Sequence, residues 1–326
     1  MERQQLGASD LESSRIIYGV MGIGRAWQAV DAGEADAMRV GQDRILQAFD
    51  AGINHFDTAD IYGGGTSDEI LGAALRARPG LRDQVIVTTK CCVRRLERPV
   101  VGAGEWYDMS GRYVRTSVEA ALKRLDMDVI DVFLMHRPDI LVELEELAAT
   151  FEDLHGQGKV RHFGVSNFFP HQVALLQKYL PMKLVANQVP IHPLDPDRFY
   201  DGTMEQCIMA KTTPTAFSPI ARGIFGTGGL PPGGHPRSED VGKVIDVFDA
   251  MAWRYGVTRT QITLGWLLRH PAGVLPIIGT TRADRIAESV QAVSIELTRE
   301  DWHRLTSAAC WYAGYDKGTG RKKSGR

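Results

Sequence analysis

Eight short apolar runs alternate with amphipathic helical patterns along almost the whole chain, and this alternation limits the fold more than any other feature. The runs begin at Ile16, Ile53, Val85, Val129, Val160, Leu184, Thr213 and Val274, and each spans four to six residues. They are rich in Val, Ile, Leu or Phe, as parallel strands buried on both faces are. Between them apolar residues recur at helical spacing. Ile45, Ala48 and Phe49 share a face, as do Val118, Ala121, Leu122 and Leu125. Val244, Phe248, Met251 and Tyr255 repeat the pattern, and so do Ile286, Val290 and Val293. Gly52 and Gly156 stand where helix stops belong. Eight strands alternating with helices predict a closed (β/α)8 TIM barrel, with an open doubly wound sheet as the second reading. A length of 326 residues fits one such barrel. The expectation is a single barrel domain over 1–312, opened by an N-terminal hairpin.

Two segments break the alternation. Residues 91–111 follow the third strand, and residues 221–240, rich in Gly and Pro, follow the seventh. Loops this long on the C-terminal face of a barrel are expected to cover a site, the alternative being a loose insertion. Residues 313–326 are polar and basic, and a disordered tail is expected there.

A formal net charge of -2, without a long run of one sign ahead of the C-terminus, argues against nucleic acid or an anionic membrane as the main partner. No apolar run is long enough to span a bilayer, and no secretion signal opens the sequence. The four cysteines are Cys91, Cys92, Cys207 and Cys310; only the first two are close, and vicinal cysteines rarely pair. A reduced, cytoplasmic protein is expected.

The chemistry gathers at strand ends. In Gly52-Ile53-Asn54-His55-Phe56-Asp57-Thr58-Ala59-Asp60-Ile61-Tyr62 an apolar strand runs out at a carboxylate and a phenol follows five residues later. Lys90 directly follows Val85-Ile86-Val87-Thr88-Thr89, and His136 follows Val132-Phe133-Leu134-Met135. The C-terminal ends of parallel strands are where such folds carry their reactions. An unaided tyrosine, with a pKa of about 10, is a neutral donor at neutral pH. A nearby ammonium from Lys90 would stabilise the phenolate and lower that pKa. Asp57 could pair with Lys90 so that the amine is not an isolated buried charge. His136 could orient a substrate oxygen or relay a proton. A phenol, amine, carboxylate and imidazole together suit protonation of an oxygen that gains negative charge, as a carbonyl does on receiving a hydride. Each residue alone at a strand end is more often structural; the joint pattern over three strand ends carries the reading.

Other motifs fail. Gly19-Val20-Met21-Gly22-Ile23-Gly24 has its glycines in the wrong order for a dinucleotide-binding turn, and no matching acidic strand end follows. Gly164-Val165-Ser166-Asn167-Phe168 lacks the second glycine of a nucleophile elbow. The nine histidines show no metal-binding spacing, and Gly226 to Gly234 lacks the ending of a P-loop.

With these residues in view, the sequence resembles the aldo-keto reductase family over roughly residues 1–312. Asn54 to Ala59 with Tyr62 looks like the family's first signature, and Lys90 and His136, in Met135-His136-Arg137-Pro138-Asp139, match two further catalytic positions. Gly164 to Phe168 and Asn187-Gln188 match its nicotinamide-binding segments. The flavour is that of the bacterial oxidoreductase branch, on the segments 158–168 and Pro276-Ile277-Ile278-Gly279-Thr280.

The resemblance implies a barrel enzyme that reduces an aldehyde or ketone with NADPH, without metal or flavin. Tyr62 would be the general acid, tuned by Lys90 and Asp57, with His136 positioning the carbonyl. Ser166, Asn167 and Gln188 would hold the nicotinamide carboxamide, and Phe217 would pack on its ring. Val20, Met21, Ser218, Pro219, Ile220, Arg222 and Gly223 join the cofactor-binding set, Arg222 and Gly223 at the pyrophosphate. At the adenosine end the family often has a lysine where Gly279 stands, followed here by Thr280 and Thr281. Arg282 and Arg285 are the nearby cations for a 2′-phosphate; an unpaired cation at a helix N-terminus is disfavoured, which favours an anion there. Ser289, after Glu288, takes the place of an asparagine near adenine. Two further readings stay open: oxidation of a sugar or polyol with NAD, and a nucleotide-binding regulatory subunit resembling those of potassium channels. Residues 91–111, 221–240, Trp27, Trp106 and Tyr107 are candidates to line the substrate site.

Overall fold

The computed structural model describes residues 1–23, 34–100 and 103–315. Trp27 lies outside the described residues. An antiparallel hairpin of β1 (Arg3–Gln5) and β2 (Glu12–Ser14) comes first. The barrel strands are β3 (Ile17–Gly19), β4 (His55–Asp57), β5 (Ile86–Cys91) and, after a two-stranded ribbon of β6 (Val93–Val100) and β7 (Ala103–Tyr107), β8 (Ile130–Met135). They continue with β9 (Val160–Ser166), β10 (Leu184–Pro190), β11 (Thr213–Phe217) and β12 (Leu275–Ile278). Each pairs in parallel with the next, and β12 returns to β3 through Ile277 with Ile17 and Ile278 with Tyr18, closing the barrel. Outside it run α1 (Glu34–Asp50), α2 (Thr66–Ala77), α3 (Gly111–Leu125), α4 (Leu144–Gly156) and α5 (Pro170–Tyr179). They are followed by α6 (Thr203–Ala210), α7 (Ser238–Tyr255), α8 (Arg259–Leu268), α9 (Ala283–Gln291) and α10 (Arg299–Ala313).

All eight expected strands are present, the closed barrel rather than the open sheet is formed, and the N-terminal hairpin is there. The second strand begins at His55 rather than Ile53 for a local reason. Asn54 is tied sideways to the hairpin, its side chain accepting from Ser14 N and donating to Glu12 O and its own N–H donating to Ser14 Oγ, so only its carbonyl, which accepts from Ile86 N, meets the barrel ladder. The expected faces of the helices are the buried ones: Val118, Ala121, Leu122 and Leu125 on α3 pack against Phe133 and Phe163 in the outer core. Each buried Val, Leu or Phe among them contributes roughly 1.5–3 kcal/mol by burial. Inside the barrel, Ile17, Ile86, Val132, Val185 and Leu275 form a separate apolar layer, floored by Leu6 and Leu11 of the hairpin. Gly7 makes this floor fit. It has φ +58, and a Cβ there would stand 2.3 Å from Val185 O.

Three expectations need correction, and one alternative falls away. Gly156 is the last residue of α4 rather than its stop; Gly158, φ +71, takes the left-handed position instead. Within 91–111 the strands Val93–Val100 and Ala103–Tyr107 pair as a β-ribbon rather than forming a plain loop, with Val93 paired to Tyr107 and Arg94 to Trp106. Residues 221–240 are no loose insertion. Arg259 holds the carbonyls of Ile224 and Gly229 at 3.1 and 2.8 Å, Thr227 N donates to Thr260 Oγ1 at 2.8 Å, and α7 has already begun at Ser238. Nor does the tail begin at 313: Gly314 caps α10 with φ +79, and Tyr315 is buried with its ring 4.8 Å from that of Tyr200. Residues 316–326 lie outside the described ones. No helix among the described residues is long and apolar enough to cross a membrane.

Candidate active site

Because the barrel strands are parallel, their last residues share one rim. Asp57 ends β4, Lys90 is the penultimate residue of β5, His136 follows β8, Ser166 ends β9 and Gln188 lies near the end of β10. Tyr62 begins a 3-10 turn over Tyr62–Gly65, and its N–H donates to Ala59 O at 3.0 Å. Lys90 Nζ is at the centre. It donates to Asp57 Oδ1 and to Thr58 O, both at 2.7 Å, and lies 3.5 Å from Tyr62 Oη. The second Asp57 oxygen accepts from Gln188 Nε2 at 2.7 Å. The imidazole of His136 meets the Tyr62 ring edge-on, with centroids 6.0 Å apart. Asp57, Lys90 and His136 are buried, whereas Tyr62 keeps access to solvent. The structure therefore brings the four expected residues together and adds the Gln188 amide to them.

The surroundings set the protonation states. Burial pulls the Lys90 amine down, but the charges of Asp57 and Tyr62 and the hydrogen bond to Asp57 outweigh it, so the ammonium is held above its ordinary value. For Tyr62 the net direction is opposite to the one expected from Lys90 alone. Burial pushes the phenol up, Lys90 pulls it down by less, and Asp57 pushes up again. The phenol thus stays protonated at neutral pH, next to a cation that stabilises its anion. Burial first, then Lys90 and Arg137, push His136 down to about 2, so it is a neutral imidazole with one N–H to give. Its Nδ1 is buried without a partner among the described residues.

Sequence reasoning missed the brace under this site. Thr58 Oγ1 donates to Asp68 Oδ1 at 2.6 Å, and Arg124 grips Asp68 Oδ2 with two bonds at 3.0 and 2.8 Å. This ties the Tyr62 turn to α2 and α3. No local signal could have found it, because Arg124 lies 56 residues from Asp68. Asp60 was missed too. Burial, then the charge of Asp68, push its carboxyl up to about 7, and Oδ1 has no partner among the described residues.

Beside the tetrad lies a cavity of about 550 Å³ at the ends of β8 to β11. Asn167, Phe217, Ser218 and Arg222 line it, together with Tyr107, Arg137 and His192. Asn167 connects it to the tetrad: its Nδ2 donates to His136 O at 3.2 Å and to Ser166 Oγ at 2.9 Å. Four of the expected cofactor positions have unusual backbones. Asn167, Ser218, Arg222 and Gly223 have φ of 63, 52, 55 and 100, and Ala221 between them has φ 49.

A model of the aldo/keto reductase family matches residues 15–309. The chain is an aldo-keto reductase. The reductase is similar to 6-dehydroglucose reductase of Novosphingobium aromaticivorans, 38% identical over 314 residues, or 94% of this chain and 95% of the relative. A protein of the same name in Agrobacterium fabrum is 35% identical over 308 residues, covering 94% and 98% of the two chains. The solved structure of a glycerol dehydrogenase from Gluconobacter oxydans matches with a TM-score of 0.82 at 25% identity, over 95% of each chain. As a member of this family the reductase is an oxidoreductase of the kind that uses a nicotinamide cofactor.

The residues present fit that cofactor. Left-handed non-glycine residues cost of order 1–3 kcal/mol each and persist where the surroundings require them. Here they cluster at Asn167 and over 218–222, beside the flat side chain of Phe217. Gly22 approaches Gly279 closely, where a Cβ would stand 3.0 Å from the Gly279 carbonyl. The far end of the expected site is less open. Glu288 accepts from Thr227 Oγ1, the Ser289 hydroxyl donates to Arg285 O at 2.7 Å, and Arg282 pairs with Asp284 through bonds of 3.1 and 2.5 Å. The anion that the helix N-terminus called for is thus already supplied by Asp284. Among the described residues no group of His, Cys, Asp and Glu is arranged to hold a metal ion.

Proposed function

We propose that this protein reduces an aldehyde or ketone to the alcohol with NADPH, Tyr62 acting as the general acid. A bound nicotinamide supplies the hydride. Tyr62 Oη gives its proton to the carbonyl oxygen as charge develops there, and the neutral His136 donates an N–H that orients the same oxygen. The Lys90 ammonium stabilises the phenolate left behind. Asp57 keeps that ammonium from being an unpaired buried charge and has no catalytic step of its own. Ser166, Asn167 and Gln188 hold the carboxamide, with Gln188 doubling as a clamp on Asp57. Phe217 packs on the ring, with Val20 and Met21 nearby. Ser218, Pro219, Ile220, Arg222 and Gly223 follow the pyrophosphate; Gly279, Thr281, Arg282, Arg285, Glu288 and Ser289 meet the adenosine half. The partner is a small carbonyl compound, not nucleic acid or membrane, and the setting is the cytoplasm.

One observation carries this reading: a buried ammonium shared between Asp57 at 2.7 Å and Tyr62 at 3.5 Å, beside a phenol that burial keeps protonated. The names of the two 6-dehydroglucose reductases favour a hydroxylated aldehyde as substrate. The glycerol dehydrogenase among the structural neighbours favours a second reading, the same chemistry run toward oxidation of a polyol. Tyr62→Phe removes the proton donor alone, so carbonyl reduction followed by NADPH absorbance should fall by about 100-fold or more. Nucleotide affinity, followed by fluorescence, should stay near that of the wild type. Undiminished turnover in the variant would falsify the mechanism. Tight nucleotide binding with no turnover of any aldehyde, ketone or polyol by the wild type would favour a regulatory subunit instead.

A further inference from the structure

The reaction above has no use for Arg137. It follows His136 directly, and its half-buried side chain lines the 550 Å³ cavity. Its charge acts on both Tyr62 and His136. Among the described residues it has no ion pair. The neighbouring carboxylate is not its partner: Asp139 Oδ1 accepts from Leu141 N at 2.9 Å and Oδ2 from Met109 N at 3.1 Å, bonds that fix the backbone just beyond Arg137. The other cations of the cavity are committed. Arg198 is paired with Asp201, and under the proposed function Arg222 meets the cofactor's pyrophosphate. His192 cannot serve as a cation, since burial, then Arg222, push it down to about 4. Asp195 also lines the cavity, but it is engaged within the protein.

A guanidinium drawn part-way out of water gains most from an anion, and its planar fork suits the two oxygens of a carboxylate. We infer that Arg137 anchors an anionic group, a carboxylate or phosphate, carried by the carbonyl substrate at a distance from the carbonyl that His136 and Tyr62 hold. This deepens the proposed function and rests on it. The substrate is then an acidic carbonyl compound, such as the acid or phosphate ester of a hydroxylated aldehyde. A neutral diol could bond to the same fork, but it would leave the charge uncompensated.

The experiment compares 4-carboxybenzaldehyde with its uncharged methyl ester, methyl 4-formylbenzoate, in the wild type and in Arg137→Met. The acid-to-ester ratio of kcat/KM should fall by about 30-fold in the variant, mostly through KM, as the loss of a charge-assisted bidentate contact implies. Glyceraldehyde 3-phosphate against glyceraldehyde tests the phosphate form, and the larger drop identifies the preferred anion. An unchanged ratio for both pairs overturns the inference, and so does a parallel loss of NADPH affinity, which would put Arg137 in the cofactor site. Calorimetric binding of 4-(hydroxymethyl)benzoate to the nucleotide-loaded protein needs no turnover. If it depends on Arg137 while no carbonyl compound is reduced, the anchor stands and the reductase reading falls. If reduction proceeds but neither the ratio nor the calorimetry responds to Arg137, the anchor falls and the reductase reading stands.

Discussion

Lys90 shows how much one side chain can organise. Fully buried, it spends its donors on Asp57, Thr58 O and Tyr62, and every other feature of the tetrad follows from where that charge sits. Asp57 holds Lys90 with one oxygen and accepts from Gln188 with the other, which under the proposed function makes it a counter-charge rather than a base. At the adenosine end, by contrast, the residues compete. Arg282 already has Asp284, both exposed, whereas Arg285 has no ion pair among the described residues. A 2′-phosphate would have to draw Arg282 away from that pairing, although an exposed pair is worth only about 0–1 kcal/mol. Arg285→Ala should therefore weaken NADPH by about 10-fold relative to NADH, as expected for one charge-assisted contact. Arg282→Ala should do the same to a smaller degree. Titration of each variant with both nucleotides, followed by fluorescence, measures this; equal weakening of NADPH and NADH in both would remove the phosphate from this site.

At the scale of elements, the strands were legible because each is a short apolar run buried on both faces, and the tetrad was legible because it sits at strand ends. The ribbon of β6 and β7 was not. Its sequence has neither a sustained apolar alternation nor a two-residue turn signal, and its fastening runs through Arg94, which bridges the ribbon and α3. The Arg94 guanidinium lies 4.7 Å from the centre of the Trp106 ring and 4.9 Å from that of Tyr113 on α3, and it pairs with Asp108 at 3.2 Å. Trp106 is therefore first of all a fastening for the ribbon, while Tyr107 beside it reaches the cavity. Each cation–π contact of this exposed kind is worth about 0.5–1 kcal/mol, enough to shift a ribbon between docked and undocked but not to unfold a barrel. Arg94→Ala should accordingly leave the melting temperature within a few degrees of the wild type. Limited trypsin digestion within 93–107 should accelerate severalfold, and KM for carbonyl substrates should rise more than kcat falls. Unchanged digestion and an unchanged KM would mean that the ribbon is held by its own strand pairing alone.

The whole molecule was legible as a barrel but not as a stack of buried polar joints. His55 is one of these. At the start of β4 its ring bonds Ser13 Oγ of the hairpin at 2.8 Å and Thr88 Oγ1 of β5 at 2.7 Å, joining the barrel floor to its wall. Burial, then Lys90, push it down to about 3. The folded chain therefore refuses a proton at His55 that the unfolded chain accepts below its ordinary pKa of about 6.5. This contribution is complete above pH 6.5 and is lost as pH falls from there toward 3, at about 1.4 kcal/mol per pH unit. His136 and His192 act in the same direction, and Asp60, whose carboxyl is raised to about 7, acts in the opposite one, so the total slope mixes several groups. Comparison with His55→Gln isolates the joint, since glutamine keeps a donor and an acceptor but does not titrate. The wild type should lose about 2 kcal/mol more than the variant between pH 7 and pH 5, read from urea unfolding at both values. The variant should be the less stable of the two at pH 7, because the amide cannot reach both hydroxyls, and the gap should narrow on acidification. A gap that stays constant between the two pH values would mean that His55 takes up its proton in the folded barrel, and that the joint between hairpin and wall is not held by a neutral ring.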